Sequence, residues 1–243
     1  MVNKILFLIV VFLSNIIQCI TGFAGTVLAM PFSVMLVGYE SAKPILNVLG
    51  ILASVFIAAK DFRYINKKEF FKITAVMLAG MAAGFGLQRV IGTEGRLLYI
   101  LLGVTVIVFA VINAYRFYTK KEDKKFHPAV SAALLIISGV VHGLFVCGGP
   151  LLVTYLSGVI KDKNEFRATV SSVWIVLNGI ILISDIHSGY FTPNVIYLLI
   201  FSAAILVLAL AAGNLIYKKM NKSVFLQLTY ALMLISGISL IVS

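Results

Sequence analysis

The apolar positions of the chain fall into ten blocks separated by short polar runs, at 5–20, 26–37, 44–59, 73–90, 97–115, 129–146, 150–160, 168–184, 195–216 and 224–242. Blocks of about 16 to 22 residues predict helices able to cross or nearly cross a bilayer, because about 20 residues rising 1.5 Å each match a hydrocarbon core of about 30 Å. Blocks 26–37 and 150–160 are too short for that and read as re-entrant; each goes with a glycine-broken stretch. The first break is Thr21-Gly22-Phe23-Ala24-Gly25-Thr26-Val27-Leu28-Ala29-Met30-Pro31, and the second, about 123 residues on, is Leu144-Phe145-Val146-Cys147-Gly148-Gly149-Pro150-Leu151-Leu152-Val153-Thr154. Backbone released from a helix at membrane depth is tolerated where it is buried in protein or lines a cavity, so two matched breaks predict a transport site.

The order long, short, long, long, long occurs twice, and single residues follow it. At an offset of 124, Lys43 matches Arg167, Ser54 matches Asn178 and Asp61 matches Asp185; Tyr64 and Tyr190 match at 126. This predicts one membrane repeat over 1–118, a basic cytoplasmic linker over 119–127 and a second repeat over 128–243, together forming a single transport domain.

Charge decides how the repeats are oriented. If each broken stretch crossed the membrane once, Lys and Arg would divide 11 inside to 9 outside, which is no bias. If each is a hairpin that enters and returns, with the N-terminus extracytoplasmic, 16 cations become cytoplasmic and only Lys4, Lys43, Arg89 and Arg96 stay outside. The second division obeys the positive-inside rule. Each repeat then makes three crossings, an odd number, so the second is inverted relative to the first. The expected fold is an all-α integral membrane protein of two inverted repeats. Each is a re-entrant helical hairpin plus three transmembrane helices, giving about eight membrane segments in total.

Composition agrees: 61% of the 243 residues are hydrophobic and 12% are charged, far from soluble usage. The net charge of +11 sits in short runs between apolar blocks, so it reads as a topology signal and excludes a nucleic-acid-binding domain. Cys19 and Cys147 lie within apolar blocks and make neither a CxxC pair nor a zinc spacing; they read as free thiols, and no metal or cofactor is expected. Walker A, HExxH and GxSxG motifs are absent from the sequence, so an enzyme is not expected.

The candidate substrate-binding residues follow from the breaks. A second half-helix starting at Gly25-Thr26 or at Gly148-Gly149-Pro150 offers backbone N–H groups and about half a positive charge from the helix dipole, a site for an anion without a buried lysine. Gly22, Phe23, Ala24, Gly25, Thr26, Cys147, Gly148, Gly149 and Pro150 form these tips. The alternative is that the glycines only permit close helix packing. In the blocks that follow, Asn47, Ser54, Ser171, Ser172 and Asn178 carry polar atoms inward at mostly helical spacing and are candidates for a polar path beside the tips. Lys43 and Arg167 open those blocks and are candidates for steering an anion, or else for interfacial anchoring. His142 is a candidate proton relay, or a histidine bonded to a helix carbonyl. Asp61, Glu94 and Asp185 fall at block ends, and the lack of a deep carboxylate favours a substrate that is itself negative.

At Gly22-Phe23-Ala24-Gly25-Thr26 with Pro31, at Val146-Cys147-Gly148-Gly149-Pro150 and at Arg167-Ala168-Thr169-Val170-Ser171-Ser172, the sequence resembles the sulfite exporter TauE/SafE family of membrane permeases. It departs from the family pattern at Ala24, Thr26 and Cys147, where glycines are expected, and at Thr154, where a proline is. The resemblance implies movement of a small sulfur-containing anion, such as sulfite or an organosulfonate, across the bacterial inner membrane. The sequence-level function is therefore a secondary permease working by alternating access, with the lipid bilayer and a small anion as partners. A membrane-embedded binding or scaffold subunit is the alternative. The sequence leaves oligomeric state, transport direction and driving force open.

Overall fold

The computed structural model describes residues 2–91 and 127–242 and, between them, residues 100, 103, 104, 107, 108, 110–112, 114, 115, 118 and 119. The expected linker 119–127, apart from Thr119 and His127, lies outside the described residues, as do Glu94, Arg96 and part of block 97–115. Among the described residues every regular element is helical. In chain order these are α1 (Val2–Thr21), α2 (Ala24–Val37), α3 (Tyr39–Lys60), a short 3-10 turn (Phe62–Tyr64), α4 (Lys67–Ile91), α5 (Pro128–Phe145), α6 (Gly149–Val159), α7 (Lys163–His187), α8 (Pro193–Lys219) and α9 (Lys222–Val242). Helices α1, α3, α4, α7 and α8 are long and apolar enough to cross a membrane. α2 and α6, with 14 and 11 residues, are the short elements after the two breaks.

Local chemistry sets where the helices begin. The side chain of Asn66 accepts a hydrogen bond from the Glu69 amide at the start of α4, Asp162 accepts from Asn164 and Glu165 at the start of α7, and Asn221 accepts from Val224 at the start of α9. Thr192 caps α8 with Pro193 in its first turn. Each of these side chains satisfies amides that a helix start leaves without partners.

The chain divides into two compact units. The first comprises Met1–Ile65 and Arg167–Met220, the second Asn66–Phe166 and Asn221–Ser243. In the first, α1 packs against α2, the other arm of its hairpin, and against α8. The α1–α8 contact is close because Gly213 has no side chain: a Cβ there would stand 2.8 Å from the Ile16 carbonyl oxygen.

In the second unit α4 packs against α5 through glycines that each meet the other helix's backbone. A Cβ on Gly80 would lie 2.2 Å from the Ile136 oxygen, and one on Gly139 would lie 2.3 Å from the Met77 oxygen. Gly84 and Gly143 repeat the arrangement one turn further on. The Gly80-Met81-Ala82-Ala83-Gly84 stretch is thus a close-packing motif, the usual use of small residues between helices in lipid, where dispersion and backbone proximity replace hydrophobic exclusion. Backbone cannot yield as a side-chain tip can. Gly80→Leu is therefore expected to separate α4 from α5 and to lower stability by about 3 kcal/mol, seen as an earlier unfolding midpoint in mixed micelles.

Candidate functional site

In the first break, Gly22 adopts φ +83°, a left-handed conformation that favours glycine, and ends α1 with its amide on the Gln18 carbonyl. The tip is then closed by two side chains of α1. Thr21 Oγ1 accepts from the amides of Phe23 and Ala24, and Gln18 Oε1 accepts from the amide of Gly25 while its amide nitrogen Nε2 donates to the Gly22 carbonyl. The amides of residues 23–25 are therefore engaged within the hairpin, among them that of Gly25, expected from sequence to be open to a ligand. Gly25 serves its closure: a Cβ there would lie 2.5 Å from Gln18 Cβ and 2.6 Å from the Ser14 oxygen. Phe23 and Ala24 are buried and Thr26 is half-buried.

What the first unit gathers around this tip is a set of polar side chains from α3 and α7. Asn47 Nδ2 donates to the Asn178 carbonyl at 3.1 Å. A Cβ on Gly50 would touch both Asn178 Nδ2, at 3.2 Å, and Thr26 Oγ1, at 3.4 Å, so the bare backbone of Gly50 adjoins both groups. Ser171 Oγ would lie 3.1 Å from a Cβ on Gly22. Ser54, one turn beyond Gly50 on the same helix face, is fully buried. The Oγ atoms of Ser54 and Ser171 and the Oδ1 atoms of Asn47 and Asn178 are buried with no hydrogen-bond partner among the described residues. Ser172 differs, since its hydroxyl donates to the Ala168 carbonyl of its own helix. Gly22, Thr26, Asn47, Ser54, Ser171 and Asn178 thus belong to one polar seam in an apolar surround.

An ion pair closes each end of that seam. Lys43 Nζ lies 2.7 Å from Asp185 Oδ1, with the side chains 5% and 0% exposed, and faces the Tyr190 ring at 5.5 Å. Arg167 donates through Nε and Nη2 to Asp61 Oδ2 at 3.1 and 2.6 Å and through Nη1 to the Cys19 carbonyl, with its guanidinium 3.6 Å from the Tyr217 ring centroid. The two cations are buried and neutralised rather than extended to an interface. Contacts of α3 and its capping residue with α7 run antiparallel: residue 43 meets 185, 47 meets 178 and 61 meets 167.

The second break belongs to the second unit. Val146 takes the left-handed conformation here, φ 58°, and Ser138 Oγ donates to the Gly148 carbonyl at 2.7 Å. A Cβ on Gly148 would stand 2.4 Å from the Ser138 oxygen and 2.9 Å from His142 Cβ. Cys147, Gly149, Pro150 and His142 are buried, and Pro150 falls in the first turn of α6. At the far end of α6, the Tyr155 hydroxyl donates to the Glu69 carboxylate at 2.5 Å and accepts from Lys72 at 2.7 Å, beside a cavity that Ser131 and Leu135 also line.

Sequence reasoning left several of these residues out of the site. Asp185 and Glu69 stand at helix ends yet are buried, 0% and 8% exposed, so end position did not mean exposure. Gln18, Gly50, Asp61 and Asp185 all touch the candidate residues. A signal for the last two was present: the cation match Lys43/Arg167 and the carboxylate match Asp61/Asp185 share one offset.

The family model for the sulfite exporter TauE/SafE matches residues 6–240, so the chain belongs to the TauE/SafE family, whose members are multi-pass membrane transporters rather than enzymes. No curated protein and no solved structure matches it.

Proposed function

We propose that this TauE/SafE protein is a secondary permease for a small sulfur-containing oxyanion, sulfite or an organosulfonate, that binds in the polar seam of α1–α3 and α7 and crosses by alternating access. The observation that carries this reading is the set of buried Ser54, Ser171, Asn47 and Asn178 oxygens without partners. Each such group costs about 1–3 kcal/mol when left unsatisfied, and a chain keeps several together where a ligand or water completes them. The serine and threonine hydroxyls and the Asn178 amide supply donors for anionic oxygens, and the asparagine oxygens accept from a protonated oxyanion. The positive end of the α2 dipole adds to the field at Thr26. Neutral donors suit a carrier, which must release what it binds.

Two inverted repeats in the bacterial inner membrane, with the N-terminus outside, complete the proposal. The reciprocal pairing of Lys43 with Asp185 and of Asp61 with Arg167 supports it, because two elements related by a two-fold axis exchange contacts in this way. The tips at Gly25-Thr26 and Gly148-Gly149 are the corresponding parts of the two repeats, and His142 is the second repeat's candidate for proton transfer.

Proteoliposomes loaded with labelled sulfite should exchange it against external sulfite or a sulfonate, and Ser171→Ala combined with Asn178→Leu should lower exchange at least roughly tenfold, a change of about 1.4 kcal/mol in barrier, with insertion unchanged. Exchange equal to wild type would remove the seam from the transport path. No exchange of any oxyanion by the wild-type protein would favour a scaffold role.

A further inference from the structure

Resting on the seam as the substrate path, the geometry points to the two ion pairs as its end latches: Lys43–Asp185 closes one end and Arg167–Asp61 the other, and each opens separately. Lys43 stands on α3 and Asp61, 18 residues further on, caps that helix, a span of about 27 Å along a helix, which is close to the hydrocarbon thickness of a bilayer. The pairs therefore stand near opposite membrane faces, with the unpartnered polar atoms of Asn47, Ser54, Ser171 and Asn178 between them. Both pairs are formed at once, 2.7 and 2.6 Å, so the structure is that of a seam shut at both ends. Each joins α3 or its capping residue to α7, and each involves one residue of either sequence repeat.

A pair that was merely a structural tie would be needed at both ends all the time. A latch is different: separating α3 from α7 at one end admits water and substrate there while the other pair holds the helices in register. Within its own end, each carboxylate also occupies the cation that an arriving anion would seek. An oxyanion can take the place of the Asp on its Lys or Arg, which couples arrival of substrate to opening of that end alone.

Thiol accessibility tests this without measuring transport. Cys19, whose carbonyl accepts from Arg167, reports on one end once Cys147→Ser has removed the other thiol. Ala42→Cys beside Lys43, in a chain also carrying Cys19→Ser and Cys147→Ser, reports on the opposite end; both reporter positions are 0% exposed. Asp61→Asn should raise alkylation of Cys19 by a small maleimide at least roughly tenfold, the signature of a local opening, and leave the A42C thiol as protected as before. Asp185→Asn should do the reverse. Exchanging the charges, Lys43→Asp with Asp185→Lys, should restore protection at the A42C thiol. If the Asn variants do not accumulate in the membrane, Asp61→Glu and Asp185→Glu, which displace each pair while keeping its charge, are read in the same way. Equal labelling of both reporters by either substitution, or labelling of neither, would overturn the latches. End-specific labelling in a protein that exchanges no oxyanion would keep the latches and refute the transport reading.

Discussion

Gly50→Ala is expected to cut anion exchange by roughly tenfold, about 1.4 kcal/mol in barrier, and Gly50→Leu to reduce it to background, while neither loosens the fold. In the interior of α3, alanine is favoured over glycine by about 0.5–1 kcal/mol because less backbone entropy is lost. On that ground alone the alanine variant should unfold at slightly higher denaturant than wild type. Its methyl group, however, would arrive 3.2 Å from Asn178 Nδ2 and 3.4 Å from Thr26 Oγ1, on the bare backbone where the two polar groups meet. The first distance forces the amide aside by a few tenths of an ångström, and an apolar carbon then fills space beside groups that need a polar partner. Leucine adds three more carbons in the same direction. Stability and flux should therefore move in opposite directions for alanine, as happens when a site keeps glycine for function at a cost to the helix. The measurement is paired: the unfolding midpoint in mixed micelles, and sulfite exchange in vesicles from the same preparation. Exchange that survives Gly50→Leu would place the substrate path elsewhere.

The second large effect concerns stability. Arg167→Met should destabilise the protein by about 3–5 kcal/mol, the usual result of removing one partner of a buried pair. Asp61 would lose its ion-pair partner, while the Cys19 carbonyl and the Tyr217 face lose contacts too. Replacing both residues, Arg167→Met with Asp61→Leu, should recover most of the loss, because the uncompensated carboxylate goes with it; buried pairs exchanged for apolar residues are often neutral. The coupling, read from a double-mutant cycle, should be at least about 2 kcal/mol. Were the double variant as unstable as the sum of the singles, the contact with Tyr217 and the carbonyl, rather than the pairing, would be holding this end. The same cycle at Lys43 and Asp185 should give a smaller total, since Lys43 donates to Asp185 through one hydrogen bond and faces a ring at 5.5 Å, whereas Arg167 donates two to Asp61 and one to Cys19 and lies 3.6 Å from its ring.

The helices were legible in the sequence because lipid enforces apolar runs of a fixed length. Block 5–20 became Val2–Thr21, block 195–216 became Pro193–Lys219, and the short blocks became Ala24–Val37 and Gly149–Val159. The helices outrun the blocks where polar caps and charged first turns continue them, as Asn66 and Lys67-Lys68-Glu69 do for α4. Hydropathy registers the solvent a residue faces, whereas a helix ends where its amides find other partners. Within the site, sequence spacing found the seam residues Asn47, Ser54, Ser171 and Asn178 because helical periodicity marks a shared face. It did not find Gln18 as the side chain that closes the first tip, nor the carboxylate partners of Lys43 and Arg167. Those contacts join residues 142 and 106 positions apart, and no local pattern encodes them.

A helix with a cation at one end and a carboxylate at the other matches a reversed copy of itself. α3 and its capping residue carry Lys43 and Asp61 in that order, and α7 carries Arg167 and Asp185 in the same order. Laid side by side in the same direction, they would set cation against cation and carboxylate against carboxylate in a medium that hydrates neither. Laid head to tail, they satisfy all four charges, as they do here. These four ionisable side chains therefore favour one relative direction of the two apolar helices. The same pairing would favour settling with α3 and α7 opposed over an arrangement that sets like charges together.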